Sequence, residues 1–108
     1  MNRSNADRVE ISIKHIDIAR SHLDRGSLDD LLVFDAVCQR LSSAIEEITP
    51  VDDDVLDAVF GETWHLIRAM RNAIVHNYEF VSPDVIERTM QQEIPNFIAS
   101  LEEMRGEV

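Results

Sequence analysis

The stretch Arg71-Asn72-Ala73-Ile74-Val75-His76-Asn77-Tyr78 places four side chains capable of chemistry at the end of an otherwise apolar-patterned segment. Arg is a permanent cation whose planar fork fits phosphate oxygens, and His gives or takes a proton near neutral pH. Together they suit phosphodiester cleavage. In RNA the neighbouring 2′-hydroxyl can act as nucleophile, so the enzyme needs a base, an acid and a clamp on the developing phosphorane charge, with no metal or other cofactor required. On that scheme Arg71 clamps the phosphate, His76 is the general acid or base, Asn72 orients His76 from one turn away, and Tyr78 stacks on a base or donates a hydrogen bond. The same residue types also suit a solvated helix end, and spacing alone does not separate the two readings. On a continuous helix Arg71 and Tyr78 share one face, while Asn72 and His76 share another. Arg71 and His76 lie about 140° apart around the axis and about 7.5 Å apart along it, a poor arrangement for gripping one atom. A helix end near Asn77, a bend, or a second copy of the chain would bring them together. A two-fold dimer that pairs this helix with itself places Arg and His from both copies around one cleft.

The elements that must position these groups are helical. Val9, Ile13, Ile16 and Leu23 recur at the helical period and define a first helix, closed by Arg25 and Gly26. Ser27, with Asp30 three residues on, is the expected N-cap of a second, whose stripe runs Leu31, Phe34, Val37, Leu41, Ala44 or Ile45 and Ile48 before Thr49-Pro50 ends it. The short link makes the two an antiparallel hairpin. Asp52, Asp53 and Asp54 then place negative charge at the start of a short helix through Val55, Leu56, Val59 and Phe60, broken at Gly61. No calcium-loop spacing accompanies the three acids. Thr63 is the expected cap of the helix that runs through Trp64, Ile67, Met70 or Arg71, Ile74 and Tyr78. Ser82-Pro83-Asp84 starts the last one, and Pro95 must kink or divide it. The fold class is all-α: an antiparallel bundle of four main helices plus a short extra helix, in one domain over residues 1–108.

Composition narrows the setting. Three Gly, three Pro and 44% hydrophobic residues describe a regular, core-forming chain. Cys38 lies among Phe34, Val37 and Leu41 and reads as a packed thiol in a reducing cytoplasm. No apolar run approaches a membrane span, and the first twelve residues lack a secretory apolar core, so a cytoplasmic location without membrane contact is expected. A formal charge of −11 opposes non-specific attraction to any polyanion, so a nucleic acid would have to be captured by a local basic patch or with a partner's help.

Trp64-x-x-Ile67-x-x-Met70-Arg71-Asn72-x-x-Val75-His76-x-Tyr78 resembles the signature of the HepT-like proteins, a branch of the HEPN superfamily, and fills every specified position. The resemblance continues through Asp35-Ala36-Val37, Arg40-Leu41 and Ile94-Pro95. It departs at Ser43-Ala44-Ile45-Glu46, where many relatives have a Gly-Glu-Ala-type turn of helix two. It implies a HEPN-like fold and a metal-independent endoribonuclease toxin of a type VII toxin–antitoxin pair, acting on RNA such as tRNA or mRNA. The implied assembly is a homodimer with the Arg and His motifs lining an intersubunit cleft. The implied antitoxin is a minimal nucleotidyltransferase that transfers AMP from ATP to the motif Tyr, here Tyr78, placing negative charge beside Arg71 and blocking RNA. A different class of function uses the same residues: a non-catalytic subunit that docks a nucleotidyltransferase and presents Tyr78 or a nucleotide pocket.

The other polar residues carry blander expectations. His15, His22 and His65 read as solvated surface, with no spacing that makes a metal site, and Trp64 on its apolar stripe reads as core. Glu46, Glu47, Glu102 and Glu103 read as solvated or partner-facing, with a basic patch on the antitoxin as their natural complement.

Overall fold

In the computed structural model, which describes residues 3–106, Ser4 caps the first helix by accepting from the Asp7 amide at 3.0 Å, and Asp7 in turn accepts from the Ser4 amide. This helix, α1, covers Asn5–Arg25. Helix α2, Leu31–Ile48, returns beside it, and its antiparallel register is fixed by Arg8 on Glu47, Ser12 on the Ala44 carbonyl, and His15 on Arg40. Ala19 and Ala44 are fully buried, and such small residues let the two axes approach closely. Buried Ser12 is not left unpaired, because its hydroxyl donates to Ala44 at 2.8 Å. Gly26 is needed at the turn for space: a Cβ there would meet Val33 Cγ2 at 2.8 Å.

The expected N-cap of α2 is corrected from Ser27 to Asp30, whose carboxylate accepts from the Leu32 amide at 2.9 Å. Ser27 instead accepts from Asp29, forming a small turn before the cap. Asp52 caps α3, Asp53–Phe60, and Asp53 and Asp54 occupy its first turn, where the helix dipole favours negative charge. Gly61, at φ 58°, supplies the left-handed stop.

Helix α4 covers Thr63–His76. Thr63 does not cap it from the side chain; its hydroxyl donates back to the Phe60 carbonyl at 2.6 Å and ties α4 to the end of α3. Trp64 is core, with its ring 5.4 Å from that of Phe60, which also stacks on Phe97 at 5.7 Å. Ser82 caps and Pro83 begins the last stretch: α5, Pro83–Arg88, a π-helical segment, Thr89–Glu93, and α6, Ile94–Gly106. Pro95 has no N–H and its ring crowds the preceding turn; widening that turn, so that the Ile94 amide reaches Thr89, accommodates it. The core is apolar, running from Val9 and Ile16 through Leu41, Ile48 and Leu56 to Ile86, Leu101 and Met104, with Cys38 packed inside it. No helix among the described residues is long and apolar enough to cross a membrane.

Candidate functional site

Helix α4 buries only one face. Trp64 and Ile74 are inside and Met70 and Arg71 lie partly so, whereas Leu66, Asn72, Val75 and His76 are exposed. The buried face meets α2 in antiparallel register, so that Arg71 reaches Glu46 and Tyr78 reaches Asp35. Asp35, Gln39, Ser42 and Glu46 recur at three and four residues, forming a polar stripe along α2.

Arg71 is held on both sides. Its Nη2 lies 2.7 Å from Glu46 Oε2, its Nη1 donates to Asn72 Oδ1 at 3.0 Å, and its Nε is buried without a hydrogen-bond partner among the described residues. Asn72 was expected to orient His76; it is turned toward Arg71 instead, and no hydrogen bond among the described residues joins it to the imidazole. His76 is exposed at the last position of α4. It does not line the cleft of about 530 Å³ in which Arg71 and Val75 face Arg8, His15, Gln39 and Glu47. Within one chain, Arg71 and His76 are therefore not convergent, as their angular separation on a helix requires.

Tyr78 is where the geometry departs most from a continuous helix. Asn77, at φ −134° and ψ 43°, leaves the helical region, and Tyr78–Phe80 form a 3-10 turn. Arg71 and Tyr78 consequently do not share a helical face. The Tyr78 ring packs on Phe34 with centroids 5.6 Å apart, and its hydroxyl donates to the Asp35 carboxylate. Burial, then the bond to Asp35, then the proximity of Cys38 raise the phenol well above the ordinary tyrosine range. Cys38 is itself pushed up to about 12 by burial and by Asp35, which fits a packed, unreactive thiol. Asp35 and Glu46 are eleven residues apart on α2, or about 16 Å of helix. A group added to Tyr78 would therefore not stand beside Arg71 of the same chain, contrary to the expectation drawn from the sequence; a continuous α4 would have kept them closer.

Two further expectations, for Glu47 and His15, are corrected on the α1–α2 side, while Glu46 keeps its expected exposure. Glu47 is not solvated: its side chain is only 9% exposed and receives Arg3 at 2.6 Å and Arg8 at 3.0 Å. Glu46 is exposed, yet paired with Arg71. His15 is partly buried with Nδ1 3.1 Å from Arg40 Nη1. Because a guanidinium only donates, Nδ1 is the acceptor and the imidazole proton sits on Nε2. Burial first, then Arg40 and Lys14 against the opposing pull of Glu47, lower the imidazole below its ordinary value. The polar stripe on α2 was visible in the sequence as a 3.6-residue period; its partners, 25 to 43 residues distant, were not.

A family model described as ribonuclease HepT-like matches residues 10–104, which takes in most of α1, the whole of α4 and the Tyr78 turn. Among curated proteins and solved structures nothing matches the chain.

Proposed function

Because this chain belongs to the ribonuclease HepT-like family, we propose that it is the toxin of a toxin–antitoxin pair and an endoribonuclease that cuts RNA without a metal through Arg71, His76 and Tyr78. At the family level it is a HEPN-type ribonuclease toxin. The observation that carries the finer reading is Arg71, a half-buried guanidinium whose Nη2 is engaged, among the described residues, only by the exposed carboxylate of Glu46. An exposed ion pair of this kind contributes about 0–1 kcal/mol, so a phosphate can replace the carboxylate at little cost.

Cleavage in this reading runs from the 2′-hydroxyl. A base takes its proton, the oxygen attacks phosphorus, and an acid gives a proton to the departing 5′-oxygen. His76 supplies one of these roles; Arg71 stabilises the negative charge that grows on the non-bridging oxygens. Asn72, hydrogen-bonded to Arg71, positions the guanidinium. The separation of Arg71 from His76 in one chain supports a homodimer in which the two copies of α4 face one another. The outward face of α4 supports it too, since Leu66 stands 73% exposed and would be covered by a two-fold contact. Across that contact Tyr78 of one copy can approach Arg71 of the other, where AMP added by a nucleotidyltransferase antitoxin blocks the RNA path.

The test is purified wild type against Arg71→Ala and His76→Ala, incubated with total RNA in the presence of a chelator. Cleavage by the wild type alone supports the reading. The alternative, a non-catalytic subunit that docks a nucleotidyltransferase, is favoured by the Tyr78–Asp35 bond, which already places a carboxylate on the phenol hydroxyl. It predicts partner binding with no cleavage by any of the three proteins.

A further inference from the structure

The cleft beside Arg71 is a local exception in an acidic molecule. The formal charge is −11, yet three arginines, Arg3, Arg8 and Arg71, line this cleft against two glutamates, with Arg40 behind His15. Both glutamates are occupied: Glu46 holds Arg71, and the carboxylate of Glu47 accepts from Arg3 through both oxygens, at 2.6 and 2.9 Å, and from Arg8 through one, at 3.0 Å. Carboxylate and phosphate present the same pair of charged oxygens to a guanidinium. We infer that this α1–α2 groove is a seat for the phosphodiester backbone of single-stranded RNA, in which Glu46 occupies a phosphate position until the strand displaces it and Glu47 holds Arg3 and Arg8 in place. The inference rests on the ribonuclease reading for the identity of the polymer.

Glu46 is the exchangeable member. It is 58% exposed and its partner Arg71 28%, so solvent screens the pair and a strand phosphate competes on equal terms. Glu47 is nearly buried and turns Arg3 and Arg8 toward the groove mouth; Arg8 is further fixed by donating to the Glu47 carbonyl at 3.0 Å. Arg3, 55% exposed just before α1, can swing onto a phosphate. A neutral His15 with its proton on Nε2 adds a donor without adding charge, as suits a ribose hydroxyl or a phosphate oxygen. The groove thereby resolves a problem set by composition: the molecule repels a polyanion as a whole and attracts it along one track that leads to Arg71.

The experiment uses the full chain and a labelled 2′-O-methyl oligouridylate, which cannot supply the attacking hydroxyl, and reads binding by fluorescence anisotropy across a salt series. Arg3→Gln and Arg8→Gln should each weaken binding about three- to tenfold and lower the salt slope by about 0.7 for each phosphate no longer neutralised. Glu46→Gln should tighten it about threefold, a gain that misfolding cannot imitate. Arg88→Gln, on α5 away from the groove, should match wild type. Equal affinity and slope for Arg3→Gln, Arg8→Gln and Arg88→Gln overturn the proposal, as does binding of polyglutamate in place of the oligonucleotide. Cleavage of unmodified RNA, followed in parallel, separates the two readings. If wild type, Arg3→Gln and Arg8→Gln cleave and bind alike, the groove fails and the ribonuclease stands; if none cleaves but binding still depends on Arg3 and Arg8, the groove stands without the ribonuclease.

Discussion

Arg71 Nη2 and Glu46 Oε2 lie 2.7 Å apart, so the guanidinium offered by α4 is already on a carboxylate offered by α2. The pair aligns Arg71 across the helix interface, and Asn72 fixes the second arm of the fork. Both interactions use the planar geometry of arginine rather than its charge alone. Arg71→Lys keeps the charge and loses the fork. Folding stability should change by about 1 kcal/mol or less, because the pair is solvent-screened, while RNA cleavage should fall about a hundredfold as the phosphorane loses one of its two donors. Urea unfolding beside a cleavage assay checks both halves.

Tyr78 is the one tyrosine in the chain, so an alkaline absorbance titration reads it alone. Its phenol is raised by burial and by the bond to Asp35. In wild type, phenolate should therefore form above the ordinary value of about 10, and Asp35→Asn should bring it down. The linkage has a definite sign. A group with a raised folded-state pKa binds its proton more tightly when folded, so its stabilisation is complete below the ordinary tyrosine value and is lost as pH rises through the folded one. Tyr78→Phe keeps the ring on Phe34 and should remove that alkaline loss.

The lowered imidazole of His15 makes the opposite kind of prediction, on the acid side. Its unfolded form takes up a proton near its ordinary value of about 6.5, while the folded form, partly buried and facing Arg40 with Lys14 nearby and Glu47 opposing, resists. The unfolded state thus binds more protons, and stability rises with pH across the window below 6.5. Thermal melts from about pH 5 to 7.5 should show His15→Gln losing less stability on acidification than wild type. An equal loss would mean that His15 takes up its proton in the folded protein without opposition.

Gly26→Ala tests the α1–α2 turn. The glycine is extended, not left-handed, so alanine is free to adopt its backbone and would even restrict the unfolded chain. Steric fit decides the sign: the new Cβ would stand 2.8 Å from Val33 Cγ2, and a β-branched side chain has little rotamer freedom to yield. A loss of about 1–2 kcal/mol in urea unfolding is expected. In a double-mutant cycle with Val33→Ala the coupling should recover much of it.

What the sequence revealed and what it hid divide along physical lines. The stripe from Phe34 to Ile48, the acidic start of α3 and the Ser82-Pro83 opening were legible because each is written within a few turns of chain, whereas Leu31, which the same period placed in the stripe, stands 67% exposed at the start of α2. Pro95 announced an irregularity, which takes the form of a π turn. The end of α4 was legible only as one alternative, a helix end near Asn77, because neither Gly nor Pro follows His76; what decides it is distant in sequence, since Tyr78 leaves the helix to reach Asp35, 43 residues earlier, and its neighbour Phe34. The groove was hidden for the same reason. Arg3, Arg8, Glu47 and Arg71 look like ordinary solvated charges until α1, α2 and α4 bring them together.

Whether Arg71 and His76 make this chain a ribonuclease is decided by RNA cleavage with the purified protein in a chelating buffer. Wild type should cut RNA and leave ends consistent with 2′-hydroxyl attack, while Arg71→Ala and His76→Ala, folded to the same helicity, should leave it whole. Cleavage that persists in both variants, or fails in all three proteins, would mean that Arg71 and His76 do not carry a ribonuclease activity.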